Sequence, residues 1–231
     1  MNATSSAGSA TVLVLGTTNA GKVRELVELL APHGIGCRSL RETTGAVEVE
    51  ETGATFAENA ALKATGQARA LGAWVLAEDS GLVVPTLGGA PGVHSARFSG
   101  PVPAGAGRAV DERNNDLLLE RMAALAGRDR AAHYACHAAL ADPTGRVVAV
   151  AAGACHGEIA HARRGAGGFG YDPLFIVPEY GRTFGEIPPA VKAVISHRAR
   201  ALRGLVPAIV RHLGGSAVAA GHPVSAGGVV T

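Results

Sequence analysis

The sequence predicts an α/β domain, and three observations carry that reading. Thr11 to Leu15, TVLVL, is an apolar run rich in β-branched residues that stops at Gly16 and leads into a helical pattern. Trp74 to Ala77, WVLA, is a second apolar run, closed by Glu78, Asp79, Ser80 and Gly81. The alanine-rich Thr55–Leu71 segment reads as a helix between further strands. A chain of 231 residues is long enough for one large domain, or two closely packed lobes, around a well-buried core.

Taken in order, the first strand feeds Gly16 to Lys22, GTTNAGK, after which Val23, Leu26, Val27 and Leu30 mark an amphipathic helix. A strand, a glycine loop and a helix start form a place to bind phosphate, because N-terminal N–H groups and the helix dipole favour an anion, to which Lys22 adds a full charge. The spacing also matches most of a P-loop. A P-loop needs Ser or Thr after the lysine as a magnesium ligand, and this chain has Val23.

A second strand is expected near Ile35 to Leu40. The alternating Val47 to Gly53, VEVEETG, suits an edge strand or an extended loop with Glu50 and Glu51 free to face a site. On the Thr55–Leu71 helix, Asn59 and Lys63 are four apart and share a face. The acids Glu78 and Asp79 are expected at the carboxyl end of the Trp74–Ala77 strand, where open α/β sheets place ligands. Leu87 to Gly100 is a long glycine-rich loop with His94 and Arg97 as candidate contacts, and Asp111 to Ala126 reads as an ordinary helix.

Asp142-Pro143-Thr144-Gly145 is a turn between two strands, Ala132 to Leu140 and Arg146 to Cys155, which should pair antiparallel. His133 and His137 read as structural histidines, with no third metal ligand following. Gly165 to Asp172, GAGGFGYD, carries Phe169 and Tyr171 on a flexible loop, where an aromatic either stacks on a base or anchors the loop in the core. Ser196 caps a final helix with Leu202, Leu205, Val206, Ile209 and Leu213 on one face, which would leave His197 and Arg198 exposed in its first turn.

Composition narrows the function classes. The 21 basic and 19 acidic residues leave a formal charge of +2, with no block of like charge that suits a nucleic-acid polymer or a membrane surface. Cys37, Cys136 and Cys155 have no metal or disulfide spacing, which fits a reducing cytoplasm. Residues 1–10 and 214–231, rich in Gly, Ala and Ser, are expected to be disordered tails around a single domain at 11–213.

Together, TTNAGK, EETGATFAENAALKA, EDSGL, LGGAPGVHSARFSG, GGFGYDPLF and KAVISHR resemble the inosine triphosphate pyrophosphatase family, also called dITP/XTP pyrophosphatases, from about Val12 to Leu213. The resemblance implies a homodimer of elongated two-lobed α/β subunits, each with a long twisted mixed sheet flanked by helices and an active-site cleft between the lobes. It implies Mg²⁺-dependent hydrolysis of ITP, dITP and XTP to the monophosphate and pyrophosphate. By position, Thr17, Thr18, Asn19, Ala20, Gly21 and Lys22 would cradle the triphosphate. Glu50 and Asp79 would hold magnesium, with Asp79 also the proton acceptor. Ser80, Phe169, Gly170, Tyr171, Asp172, Lys192, His197 and Arg198 would contact the nucleotide, and Asn59 and Lys63 would support its phosphate end. The chain departs from the family pattern at Glu78, usually Asp, and at Ala190, usually an acid.

Overall fold

The β-branched run at the N-terminus forms β1 (Leu13–Leu15) in the computed structural model, which describes residues 12–101, 107–123 and 129–214. Residues 1–10, nearly all of 214–231, and the end of the expected Asp111–Ala126 helix lie outside the described residues. After β1 come α1 (Ala20–Leu30), β2 (Cys37–Ser39), α2 (Phe56–Leu71), β3 (Val75–Val83) and α3 (Gly107–Ala123). The chain continues through β4 (Ala131–Ala141), β5 (Val147–Ile159), β6 (Phe175–Val177), β7 (Arg182–Thr183), α4 (Pro189–Ile195) and α5 (His197–Leu213).

These strands make one open, mixed sheet of seven strands in the order β2-β1-β3-β4-β5-β6-β7. β1 runs parallel to β2 and β3, and every later pairing is antiparallel. The expected hairpin is present: the Asp142 carboxylate accepts from the N–H groups of Thr144 and Arg146 at 3.0 and 3.1 Å, which closes the turn between β4 and β5. α2 begins as its sequence foretells, with Thr55 as N-cap and Glu58 completing a capping box. Val47 to Gly53 forms no strand and runs as an extended loop along α2.

Three apolar clusters fill the interior. One lies between the sheet and α1 and α5 around Leu15, Leu26, Leu76 and Leu202. A second, alanine-rich, lies under α2 around Val14, Ala64, Ala77 and Ala139. The third gathers Leu82, Leu118, Tyr134, Phe175 and Phe184 at the other end of the sheet. β3 threads from the first two into the third, and the residues between, Glu78, Asp79, Ser80 and Gly81, are the break in its apolar run.

That course corrects the expectation for β3. Glu78, Asp79 and Ser80 sit inside a nine-residue strand, paired with Ala138, His137 and Cys136 of β4. The strand end that opens the site belongs to β1. Its last ladder contact is Leu15 with Leu76, and at Gly16 the chain leaves for α1, so among the described residues β3 from Glu78 onward has no strand on that side, only a single bridge from Val83 to Pro91. The rule that ligands sit at carboxyl ends of parallel strands holds for β1.

Candidate active site

A cavity of about 430 Å³ opens where β1 ends, within the range of a small-ligand site. Gly16, Thr17, Thr18, Asn19 and Lys22 line it from one side, Asp79 and Lys63 from β3 and α2, and Phe169 to Asp172 with Lys192, His197 and Arg198 from the later chain.

The loop before α1 is held by its own side chains. Asn19, the N-cap, accepts from the N–H groups of Gly21 and Lys22 at 2.9 and 3.1 Å, and Thr17 Oγ1 accepts from Asn19 N–H at 3.2 Å. Two N–H groups expected to be free for an anion are therefore capped internally. Val23 packs on the apolar cluster beneath α1, as its side chain dictates. Gly21 has a steric role: a Cβ there would lie 2.8 Å from the Phe169 ring. The phosphate loop and the aromatic loop thus touch through a position where no side chain fits.

Alternation along β3 sends its two acids to opposite faces. Asp79 faces α2, where Lys63 Nζ lies 2.9 Å from Oδ1 and Asn59 Nδ2 donates to Oδ2 at 3.3 Å. Asn59 is fully buried, and its Oδ1 accepts from Gly53 N–H at 2.8 Å, so the Asn59–Lys63 face of α2 points into the site rather than to solvent. Lys63 also pairs with Glu51 at 3.2 Å. Burial works against its charge, but Asp79, Glu51 and Glu78 outweigh it and raise the Lys63 pKa.

Glu50 does not reach the cavity. In the extended Val47–Gly53 loop successive side chains alternate, and Val49 is packed against Gly66 of α2, whose added Cβ would lie 2.8 Å from it. That contact turns Glu51 inward with Val49 and leaves Glu50 exposed. The acid that accompanies Asp79 is Glu51.

Glu78, only 1% exposed, faces α1 and α5. Its Oε1 lies 3.0 Å from Lys22 Nζ and accepts from Arg198 Nε and Nη2 at 3.2 and 3.1 Å. Burial pushes its carboxyl upward, but Arg198, Lys22 and Lys63 hold it well below the usual range. Arg198 also donates to Glu25 and, at 3.0 Å, to Ser80 Oγ. Glu25 continues the chain of charges to Lys192 at 2.9 Å, and Lys192 reaches Asp172 at 2.5 Å. Burial is the largest influence on Asp172 and raises its pKa despite Lys192. Glu78 spans from β3 to two cations, and Ala190 is exposed on the first turn of α4.

His197 and Arg198 are buried, at 3% and 2% exposure, contrary to the expectation for a helix first turn. The Ser196 cap itself is as expected, accepting from Ala199 N–H at 3.2 Å. α5 docks its N-terminus on the sheet, where Tyr134 stacks on His197 with ring centres 4.5 Å apart. Burial, with the neighbouring Arg198 and Lys192 charges, pushes the imidazole pKa well below its ordinary value. Its Nδ1 has no hydrogen-bond partner among the described residues. Phe169 carries Lys192 Nζ at 4.9 Å from its ring centre, and its N–H donates to Asp172 at 2.9 Å. Arg97 lines the cavity wall and His94 does not.

A family model described as the Ham1 family matches residues 13–208. The chain belongs to the Ham1 family. A protein from Rhodopirellula baltica named dITP/XTP pyrophosphatase is 49% identical over 199 residues, which is 86% of this chain and 93% of that protein. A Thermus thermophilus protein of the same name is 50% identical over 196 residues, 85% of this chain and 90% of that one. Among solved structures, a HAM1 protein from Coxiella burnetii superposes with a TM-score of 0.76 at 37% identity, over 87% of this chain and 99% of that chain. The mixed sheet described above is therefore the fold of this Ham1-family chain. Three side chains of the site, Glu25, Tyr134 and Asp111, carry no motif signal of their own. Only Glu25 had a positional hint, three residues past Lys22 on one helix face.

Proposed function

We propose that the chain hydrolyses noncanonical purine nucleoside triphosphates, with ITP, dITP and XTP as the substrate class, to the monophosphate and pyrophosphate. The observation that carries this reading is that one cavity is lined at once by the α1 loop with Lys22, by Asp79 with Lys63, and by the aromatic loop at Phe169. The shared name of the Rhodopirellula baltica and Thermus thermophilus relatives supports the same substrate class.

Mg²⁺ is the cofactor we propose, and the residues fit it. Asp79 and Glu51 both contact Lys63 Nζ, at 2.9 and 3.2 Å, so two hard oxygen donors converge on one cation position. Among the described residues no group of three or more His, Cys, Asp or Glu is placed to hold a metal, and Mg²⁺ needs none when waters and substrate phosphates complete its shell. When bound, the ion neutralises phosphoryl oxygens and lowers the pKa of water. Asp79 accepts a proton from water as the water oxygen bonds to the α phosphorus. The α–β bridging P–O bond breaks, its electron pair leaves with pyrophosphate, and Lys22 and Lys63 stabilise that charge. At the base end, Phe169 offers a ring for stacking.

We propose also that the protein acts as a homodimer in a reducing cytoplasm. All three cysteines are free, and Val150, 70% exposed on β5, marks an open sheet face that a second copy could cover. No helix among the described residues is long and apolar enough to cross a membrane.

The test is a comparison of kcat/KM with Mg²⁺ for ITP, XTP, ATP and GTP. If the pocket offers only donors at the purine 6-position, through Arg198 or a backbone N–H, it refuses the amino group of ATP, and a donor at the 2-position refuses that of GTP, each by roughly five- to 150-fold. Equal efficiency on ATP and ITP would remove the first half of this expectation, and equal efficiency on GTP and XTP the second.

A further inference from the structure

We infer that α3 positions the nucleobase end of the site, through Asp111 and Asn115 acting on the backbone of Gly170. This inference rests on the reading of Phe169 to Asp172 as the base-contacting loop. Asp111 Oδ2 accepts from Gly170 N–H at 2.8 Å, and Asn115 Nδ2 donates to Gly170 C=O at 3.0 Å. The two side chains stand four apart on α3, one turn from each other, and so grip both polar groups of a single residue. Gly170 has φ of +61°, a left-handed conformation that its neighbours must hold in place.

Gly170 lies between Phe169 and Tyr171, so fixing its two peptide groups fixes where both rings emerge. The same helix grips the loop at its other end. Arg163 donates to Asp116 at 2.7 Å and to Glu112 C=O at 2.9 Å. Asn114, beside Asn115, binds the opposite wall of the cavity: its Oδ1 accepts from Ser99 N–H at 2.8 Å and its Nδ2 donates to Ser95 C=O and Ala96 C=O, each at 3.3 Å. The Tyr171 hydroxyl closes the circuit by donating to Ser95 C=O at 2.8 Å. Asn115 is buried, and its Oδ1 has no partner among the described residues. Its one side-chain hydrogen bond among the described residues is to Gly170, which a role in packing alone would not require.

Both residues border a second cavity that Thr18 to Gly21 also line, but among the described residues their side chains hydrogen-bond only to Gly170 and not to the phosphate loop, so the two ends should respond differently. The experiment measures kcat and KM for ITP, and the inhibition constant of inorganic tripolyphosphate, in Asp111→Ala, Asp111→Asn, Asn115→Leu and Phe169→Ala. Loss of one such hydrogen bond should raise KM for ITP by about five- to tenfold in Asp111→Ala and Asn115→Leu. The tripolyphosphate constant should stay within about twofold, and Asp111→Asn, which keeps an acceptor oxygen, should recover most of the loss. An unchanged KM in both α3 variants, beside a raised KM in Phe169→Ala, would overturn the inference and leave the base-loop reading standing. Equal rises for ITP and tripolyphosphate, or no inhibition of the wild type by tripolyphosphate, would also overturn it. An unchanged KM in Phe169→Ala would instead overturn the base-loop reading, and this inference with it.

Discussion

Asp79→Asn is expected to lower kcat for ITP at least about 100-fold while the protein remains folded, the scale on which a positioned general base acts. The asparagine fills the same volume and keeps one acceptor oxygen, so it gives up the hydrogen bond to either Lys63 or Asn59, while Lys63 retains Glu51 at 3.2 Å. The fold therefore loses little. What disappears is the carboxylate proposed to accept the proton and to share a cation position with Glu51. Steady-state kinetics beside a thermal melt separate the two effects, and near-normal turnover would remove Asp79 from the role given to it.

Glu78→Gln is expected to act on stability as well as on activity. Glu78 is the carboxylate between Lys22 and Arg198, and removing one partner of a buried ion pair costs about 3–5 kcal/mol. Arg198 keeps Glu25, which places the expected loss near the lower end, or roughly 6–12 °C in Tm for a domain of this size. The sign of the pH dependence follows from the depressed pKa of Glu78. Its stabilisation is fully present above the ordinary glutamate value of 4.5 and is lost as pH falls below it toward the folded-state pKa. The Tm gap between wild type and variant should therefore be constant near neutrality and narrow below about pH 4.5. A gap that widened on acidification would contradict the ion-pair account.

Much of this was legible in the sequence because it is local. β1, the α1 loop, the α2 capping box at Thr55, the β4–β5 turn and the Ser196 cap each follow from residues within a few positions of one another. What the sequence concealed depends on contacts made far along the chain. Glu78 and Asp79 look like a strand end because the apolar run stops at Ala77, yet β4 pairs with them and carries the strand on to Val83. His197 and Arg198 look exposed because polar residues off the apolar face of an amphipathic helix ordinarily face solvent. Glu25, Glu78 and Ser80, from α1 and β3, compensate the buried guanidinium, and no local pattern reports that. The exchange of Glu50 for Glu51 turns on a single register, set by Val49 against Gly66. Asp111 and Asn115 were hidden for the same reason, since their partner Gly170 is more than fifty residues away.

The central claim is that water attacks the α phosphorus, and the position of an isotopic label tests it most directly. Lys22, in the first turn of α1, follows a loop that resembles a P-loop in spacing, but Val23 packs against the apolar cluster beneath α1 and offers no ligand to a metal on the β and γ phosphates. The carboxylates fit for the metal, Asp79 and Glu51, come from β3 and the loop before α2. Hydrolysis of ITP in ¹⁸O-water should place the label in IMP and release unlabelled pyrophosphate. Label in orthophosphate, with IDP as the other product, would contradict the account.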